Sequence, residues 1–132
     1  MQLESKKVSC TSSPEEIFIF LDENFEHYEE VMPEEVEHFE ADDTSFIFGL
    51  KGIPHLRLVA KESTPNSKIV LTAASSKIQF DLTLHLEPSG NGTEAWFYFE
   101  GEFNAMIQMM VKKPLQQFIN KLADQLGERF SS

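Results

Sequence analysis

The sequence has little that could form a covalent cross-link, a phosphate site or a membrane span. Cys10 is the only cysteine, which excludes an internal disulfide and a cysteine-based metal cluster. The six glycines are scattered and build no phosphate-binding loop. No apolar run approaches the length of a transmembrane helix, and residues 1–7 (MQLESKK) lack the apolar core of a signal peptide. These absences predict a protein of a reducing, cytoplasmic compartment.

Basic residues are also scarce. The chain has 11 Lys and Arg against 22 Asp and Glu, which gives a formal net charge of −11. Proteins that bind phosphate backbones or anionic lipid surfaces use clustered Lys and Arg, and no dense run of them is present. We therefore expect no nucleic acid partner and no stable membrane insertion.

Groups that could carry out catalysis are sparse. The four histidines, at 27, 38, 55 and 85, have no metal-ligand spacing, and no Ser/His/Asp arrangement can be assembled. The acidic residues of 26–43 fall in helix and turn contexts, which predicts a solvated face. We therefore predict no catalytic residue, no metal and no cofactor, although a buried acid or base on a cavity wall would support an enzyme.

The chain does contain two long stretches with alternating polarity, 77–87 (KIQFDLTLHLE) and 93–103. Apolar residues at every second position are typical of strands with one face on a core. An Asn-Gly turn separates the two stretches, so they predict an antiparallel hairpin. Gly101, inside the second stretch, predicts a bend or bulge.

A helical apolar stripe follows directly, from position 104 to about 128. Helical throughout, it would span roughly 36 Å. Pro114 predicts either a kink or the start of a new segment. Because a sheet with one apolar face must be covered, we expect this helix to lie across the sheet.

The N-terminal half predicts a strand over 3–10 and then helix signals. Ser13, Pro14 and Glu16 match a capped helix start, residues 22–24 predict a break into two short helices, and Pro33 predicts their end. A weak strand is expected at 36–41, and further strands are expected at 45–50, 56–60 and 68–73. The predicted fold class is α+β: a curved seven-stranded antiparallel sheet wrapped around a long C-terminal helix, with two short helices after strand 1.

This order is the helix-grip pattern, and the chain resembles the START/SRPBCC superfamily of birch-pollen-allergen-like, polyketide cyclase-like and lipid-transfer proteins. The resemblance rests on residues 12–18 (SSPEEIF), on 24–33 (NFEHYEEVMP), on the strand meander and on 109–118 (MMVKKPLQQF). It covers residues 1–132 as a single domain. It implies a hydrophobic cavity between sheet and helix. Members bind lipids, sterols, polyketides or plant hormones, some are enzymes, and others act as partners of chaperones.

The expected ligand is small and hydrophobic or lipid-like. Apolar residues facing the core, which include many of the 12 phenylalanines, and the methionines at the start of the last helix are the predicted cavity lining: Phe46, Phe48, Leu56, Leu58, Phe80, Leu82, Phe97, Phe99, Met106, Met110 and Phe118. Met109 lies in the same methionine group. A gate is expected near residues 51–54 or near Pro114.

Two aromatic residues fall on the opposite parity. If Phe97 and Phe99 face the cavity, Trp96 and Tyr98 face outward, where they predict an interface, such as that of a homodimer. Three functions stay open: a binding or transport protein for a hydrophobic ligand, a cyclase- or dehydratase-type enzyme, and a closed-core interaction module.

Overall fold

One sheet and one long helix organise the chain. A computed structural model describes residues 1–51, 55–74 and 78–131. The helices are α1 (Pro14–Glu23), a 3₁₀ helix (Phe25–Val31) and α2 (Ala105–Arg129). The strands are β1 (Gln2–Glu4), β2 (Val8–Cys10), β3 (Val36–Ala41), β4 (Ser45–Leu50), β5 (Leu56–Thr64), β6 (Lys68–Ala73), β7 (Gln79–Ser89) and β8 (Gly92–Glu102).

The sheet is antiparallel and curved, with the order β1-β8-β7-β6-β5-β4-β3. The long hairpin of β7 and β8 has a regular register from Gln79 opposite Glu102 to Ser89 opposite Gly92. The predicted α+β fold class is therefore confirmed. Gly101 produces no bulge in this ladder. A Cβ atom there would lie 3.0 Å from both Phe80 and Phe103, so glycine allows close packing.

The predicted first strand, 3–10, is interrupted. Ser5 is buried, its N–H donates to the Phe97 carbonyl at 2.8 Å, and its Oγ accepts from the Phe97 N–H at 2.8 Å. The next N–H, of Lys6, donates to Oδ1 of Asn120 in α2. These bonds take residues 5–7 out of the regular ladder. β1 and β2 pair one after the other with β8, so the sheet still has seven positions across.

Side-chain caps begin the two short helices, at the predicted Ser13 and at Asn24 within the predicted break. Ser13 Oγ accepts a hydrogen bond from the Glu16 N–H at 3.2 Å, with Pro14 in the first turn of α1. Asn24 ends α1, and its Oδ1 accepts from the Glu26 N–H at 2.8 Å to begin the 3₁₀ helix. An amide side chain at a helix start satisfies an N–H that has no partner in the helix, which explains the break between the two helices.

α2 packs on the concave face of the sheet and runs without a break through Pro114. Its N-cap is Asn104, whose Oδ1 accepts from the Ile107 N–H at 3.0 Å. No new segment begins at the proline. One face of the helix is buried from position 111 onward, by Val111, Leu115, Phe118, Ile119, Leu122, Ala123 and Leu126.

Candidate functional site

The predicted cavity residues separate into two groups. Those on the strands, together with Phe118 of α2, all lie in one hydrophobic core, each at most 8% exposed: Phe46, Phe48, Leu56, Leu58, Phe80, Leu82, Phe97, Phe99 and Phe118. Their predicted inward facing agrees with this burial. Their role in binding a ligand stays a prediction.

Stacked aromatic rings pack within the core. The ring of Phe48 in β4 stacks on that of Phe118 in α2, with centroids 4.9 Å apart and planes 7° apart. Phe46 stacks on Tyr28 at 5.0 Å, and burial strongly raises the pKa of the Tyr28 hydroxyl. Phe80 and Phe99 are also stacked. At Phe48 and Phe118 the sheet and the helix are in direct contact, which leaves no room for a ligand between them.

The methionines of α2 do not face this interior. Met106 is 74% exposed and Met110 is 64% exposed, so the prediction that they line an internal cavity is wrong. Met109 is 84% exposed. The buried stripe of α2 begins only at Val111, so the first turns of the helix lie outside the core. The apolar periodicity continues across this boundary, so it could not show where the sheet stops covering the helix.

An open cleft lies where the end of β4 meets the middle of α2. We call it the seam cleft, and its volume is about 250 Å³. Leu50, Pro114 and Phe118 give it an apolar floor, while Glu35, Lys51, Gln117 and Lys121 complete its lining. Lys51 and Pro114, which stood at the two predicted gate positions, thus line the same cleft. Residues 52–54 lie outside the described residues.

The rim of the seam cleft carries two different lysines. Lys121 Nζ lies 2.6 Å from Oε1 of Glu35, and this hydrogen bond holds the pKa of Glu35 below its ordinary value. Lys51 has no acidic partner among the described residues. Of the two lysines at the rim, Lys121 is therefore neutralised by Glu35, whereas the charge of Lys51 is available to a bound anion.

The lysines without an acidic partner lie at the seam cleft and in the part of α2 just before Pro114. In the described ranges they are Lys51, Lys112 and Lys113. Every other basic side chain in the described ranges has a carboxylate within 4.0 Å: Lys6, Lys7, Arg57, Lys61, Lys68, Lys121 and Arg129. We did not predict this from the sequence. One signal was readable, since residues 103–123 contain no Asp or Glu in a chain of net charge −11.

A larger cleft, of about 640 Å³, lies near β1 and the ends of β6, β7 and β8, but its chemistry is polar. Lys61 and Asp81 form an ion pair at 2.8 Å there, beside Glu100 and Glu102. An apolar ligand gains free energy in proportion to the apolar area it buries, and charged walls offer little. We therefore place the candidate site at the smaller seam cleft.

Trp96 and Tyr98 face outward, as their parity predicted, and both are partly covered. Trp96 stacks on His85 with centroids 5.1 Å apart, and Lys7 Nζ lies 4.6 Å from its ring. Burial lowers the pKa of His85, and the charge of Lys68 lowers it further. The Tyr98 hydroxyl donates to Glu100 at 3.2 Å. An interface role for Trp96 and Tyr98 stays a prediction.

His38 and His55 stack on the outer side of the sheet, with centroids 4.8 Å apart and planes 7° apart. The ring of His38 also lies 3.0 Å from the Glu40 carboxylate. Within the part of the chain that the structure describes, no group of three or more His, Cys, Asp or Glu side chains could hold a metal ion. In the same residues, no helix is both long and apolar enough to cross a bilayer.

Comparisons with known proteins identify the fold. No family model matches the sequence, and no curated protein is significantly similar to it. Among solved structures, TTHA0849 from Thermus thermophilus is 17% identical, with a TM-score of 0.72 over 98% of this chain and 97% of that one. The KanY protein is 7% identical, with a TM-score of 0.77 over 98% and 97%.

The Aha1 dimer from Colwellia psychrerythraea is a third match in structure. It is 15% identical, with a TM-score of 0.61 over 96% of each chain. These identities are too low to transfer function, because one fold carries many functions. The comparisons therefore support a curved sheet around a helix, which suits ligand binding in general.

Proposed function

We propose that the protein is a member of the START/SRPBCC superfamily that binds a small hydrophobic or lipid-like ligand at the seam cleft. The observation that carries this proposal is the apolar floor of Leu50, Pro114 and Phe118, which lies at the bottom of an open cleft at the junction of β4 and α2. Binding would rest on burial of apolar surface, at about 25 cal/mol per Å². Because Phe48 and Phe118 stack directly on each other, the interior at that point has no room for a ligand, which supports binding at the seam cleft instead.

The cleft is small for a complete ligand. Typical ligand pockets have volumes of about 300–1,000 Å³, whereas the seam cleft has about 250 Å³. A ligand would therefore fill the cleft with one part and extend beyond it. Apolar residues beside the cleft, on the first turns of α2, could cover the remainder.

Blocking the cleft tests this proposal. N-phenyl-1-naphthylamine, a neutral apolar dye, should bind the unmodified protein and become more fluorescent. Gln117→Trp places a large ring at the lining of the seam cleft without touching the buried stripe, and we expect it to weaken dye binding about tenfold or more. Gln125→Trp is the matched control, since Gln125 lies on α2 in a different cleft.

Equal weakening by both variants, or no dye binding by the unmodified protein, would contradict the proposal. Thermal denaturation of both variants separates a blocked cleft from a damaged fold. The same assay measures the affinity of a non-fluorescent ligand, because such a ligand displaces the dye and lowers the fluorescence.

A closed-core interaction module is the second candidate function. The aromatic stacking within the core favours it. It predicts that the protein takes up no apolar molecule and that substitution of Trp96 changes its oligomeric state or partner binding. Sedimentation measurements on Trp96→Ser would test this, with Ile19→Ser as a control for loss of an exposed apolar side chain on α1.

A further inference from the structure

An apolar track runs along α2 from the seam cleft to the start of the helix. Met106, Met110, Pro114 and Phe118 follow one another at intervals of four residues, so each lies next to the one before it in a row that winds about 40° around the helix at each step. We call this set the methionine track. It leads from the buried Phe118 to the exposed Met106 over roughly 18 Å. Its length suits an extended chain better than a compact ring system.

The charges beside the methionine track are positive. Lys113 is one turn from Met110 and two turns from Met106 on the same side of the helix, and Lys51 lies across the seam cleft from Pro114. Neither lysine has an acidic partner among the described residues, and the first turn of α2 has no acidic residue. The N-terminal end of a helix adds a partial positive charge.

From this arrangement we propose that the ligand is a single-chain amphiphilic anion, such as a long-chain carboxylate. Its acyl chain would lie along the methionine track and reach the floor of the seam cleft. Its anionic head would be held by Lys113, since Lys51 lines the cleft that the end of the acyl chain enters. This inference rests on the proposed function and specifies the chemical class of the ligand.

The observations favour this occupant over a neutral lipid because exposed apolar and unpaired cationic groups occur together. A neutral sterol or hydrocarbon would use the methionines and leave Lys113 without a role. Methionine is flexible and packs against varied apolar shapes, which suits an acyl chain. The net charge of −11 opposes long-range attraction to anions, so the attraction must come from these few lysines at short range.

Methyl NMR of the full chain with labelled methionines tests the proposal directly. Decanoate should shift the methyl signals of Met106 and Met110, whereas Met32, at the end of the 3₁₀ helix, acts as an internal reference. 1-Decanol has the same chain without the charge. We expect decanoate to bind about two- to fivefold more tightly than 1-decanol, because an exposed ion pair contributes a small free energy.

Two adjacent lysines provide the matched variants. Lys113→Gln should weaken decanoate binding about two- to fivefold and leave 1-decanol binding unchanged. Lys112→Gln removes the same charge about 100° around the helix axis, away from the methionine track. We expect its effect on decanoate to be within about 1.5-fold, because solvent and salt screen charges that the ligand does not contact.

Equal affinity for decanoate and 1-decanol, or equal effects of the two lysine variants, would overturn the proposal. If N-phenyl-1-naphthylamine still binds in that case, the proposed function survives and only the ligand class is wrong. If neither the dye nor decanoate binds, both fail.

Other occupants of the track give different results. Sedimentation with vesicles of phosphatidylcholine and phosphatidylglycerol, in the absence of decanoate binding, would overturn the proposal in favour of a lipid surface. Methionine shifts that depend on protein concentration alone would overturn it in favour of a second copy of the chain.

Discussion

The two halves of α2 differ sharply although apolar residues are frequent in both. From Val111 onward, one face of the helix is buried against the sheet, and Leu122 and Leu126 are almost fully buried. In the first turns, Met106, Met109 and Met110 are mostly in solvent. The charges differ as well, since Lys121 and Arg129 have acidic partners and Lys112 and Lys113 have none in the described residues.

This difference separates the part of α2 that stabilises the fold from the part at which we propose that a ligand binds. A buried apolar stripe holds the fold together through hydrophobic burial and close packing. An exposed apolar stripe contributes little to folding and often marks a site of interaction. The comparison therefore predicts a gradient of mutational effects along α2, from large in its C-terminal half to small in its first turns.

The largest effect is expected at the buried end. Leu122 is 1% exposed, so Leu122→Ala should lower the free energy of unfolding by about 2–5 kcal/mol, through lost burial and the cavity left behind. Urea denaturation followed by circular dichroism measures this. A loss below about 1 kcal/mol would mean that Leu122 is not buried against the sheet as described.

An intermediate effect is expected at the first turn, where a cap and not packing holds the helix. Asn104→Ala removes the side-chain acceptor for the Ile107 N–H and should lower the free energy of unfolding by about 0.5–2 kcal/mol. Asn104→Ser should retain most of the stability because serine also caps helices. If Asn104→Ser is as unstable as Asn104→Ala, loss of the capping hydrogen bond does not explain the lower stability.

The smallest effect is expected at the exposed methionines. Met109→Ala should change the free energy of unfolding by no more than about 0.5 kcal/mol, as is usual for surface positions. The same urea experiment measures it beside Leu122→Ala. A loss comparable to that of Leu122→Ala would show that Met109 is covered in solution.

Much of the fold could be predicted because its signals are local. Alternation defined the β7–β8 hairpin, Ser13 marked the start of the first short helix, and residues 22–24 marked the break after it. The interruption after β1 was missed because it depends on hydrogen bonds from Ser5 and Lys6 to partners far away in the sequence, Phe97 and Asn120. Such tertiary contacts leave no periodic signal in the sequence.

The candidate site was less predictable. The inward facing of Phe48 and Phe118 followed from parity, but their ring-to-ring contact depends on the distance between sheet and helix. Lys51 and Pro114 stood in two separate gate predictions, and only the fold brings them to one cleft. The unpaired state of Lys113 could not be predicted, because ion pairing depends on which carboxylates the fold places nearby.

Native mass spectrometry of the protein purified from its own source, followed by extraction of any bound molecule, tests the central claim most directly. The account predicts close to one acyl-chain anion per chain, lost on denaturation and replaced by added decanoate. A protein that carries nothing and still binds nothing after decanoate is added would contradict the account.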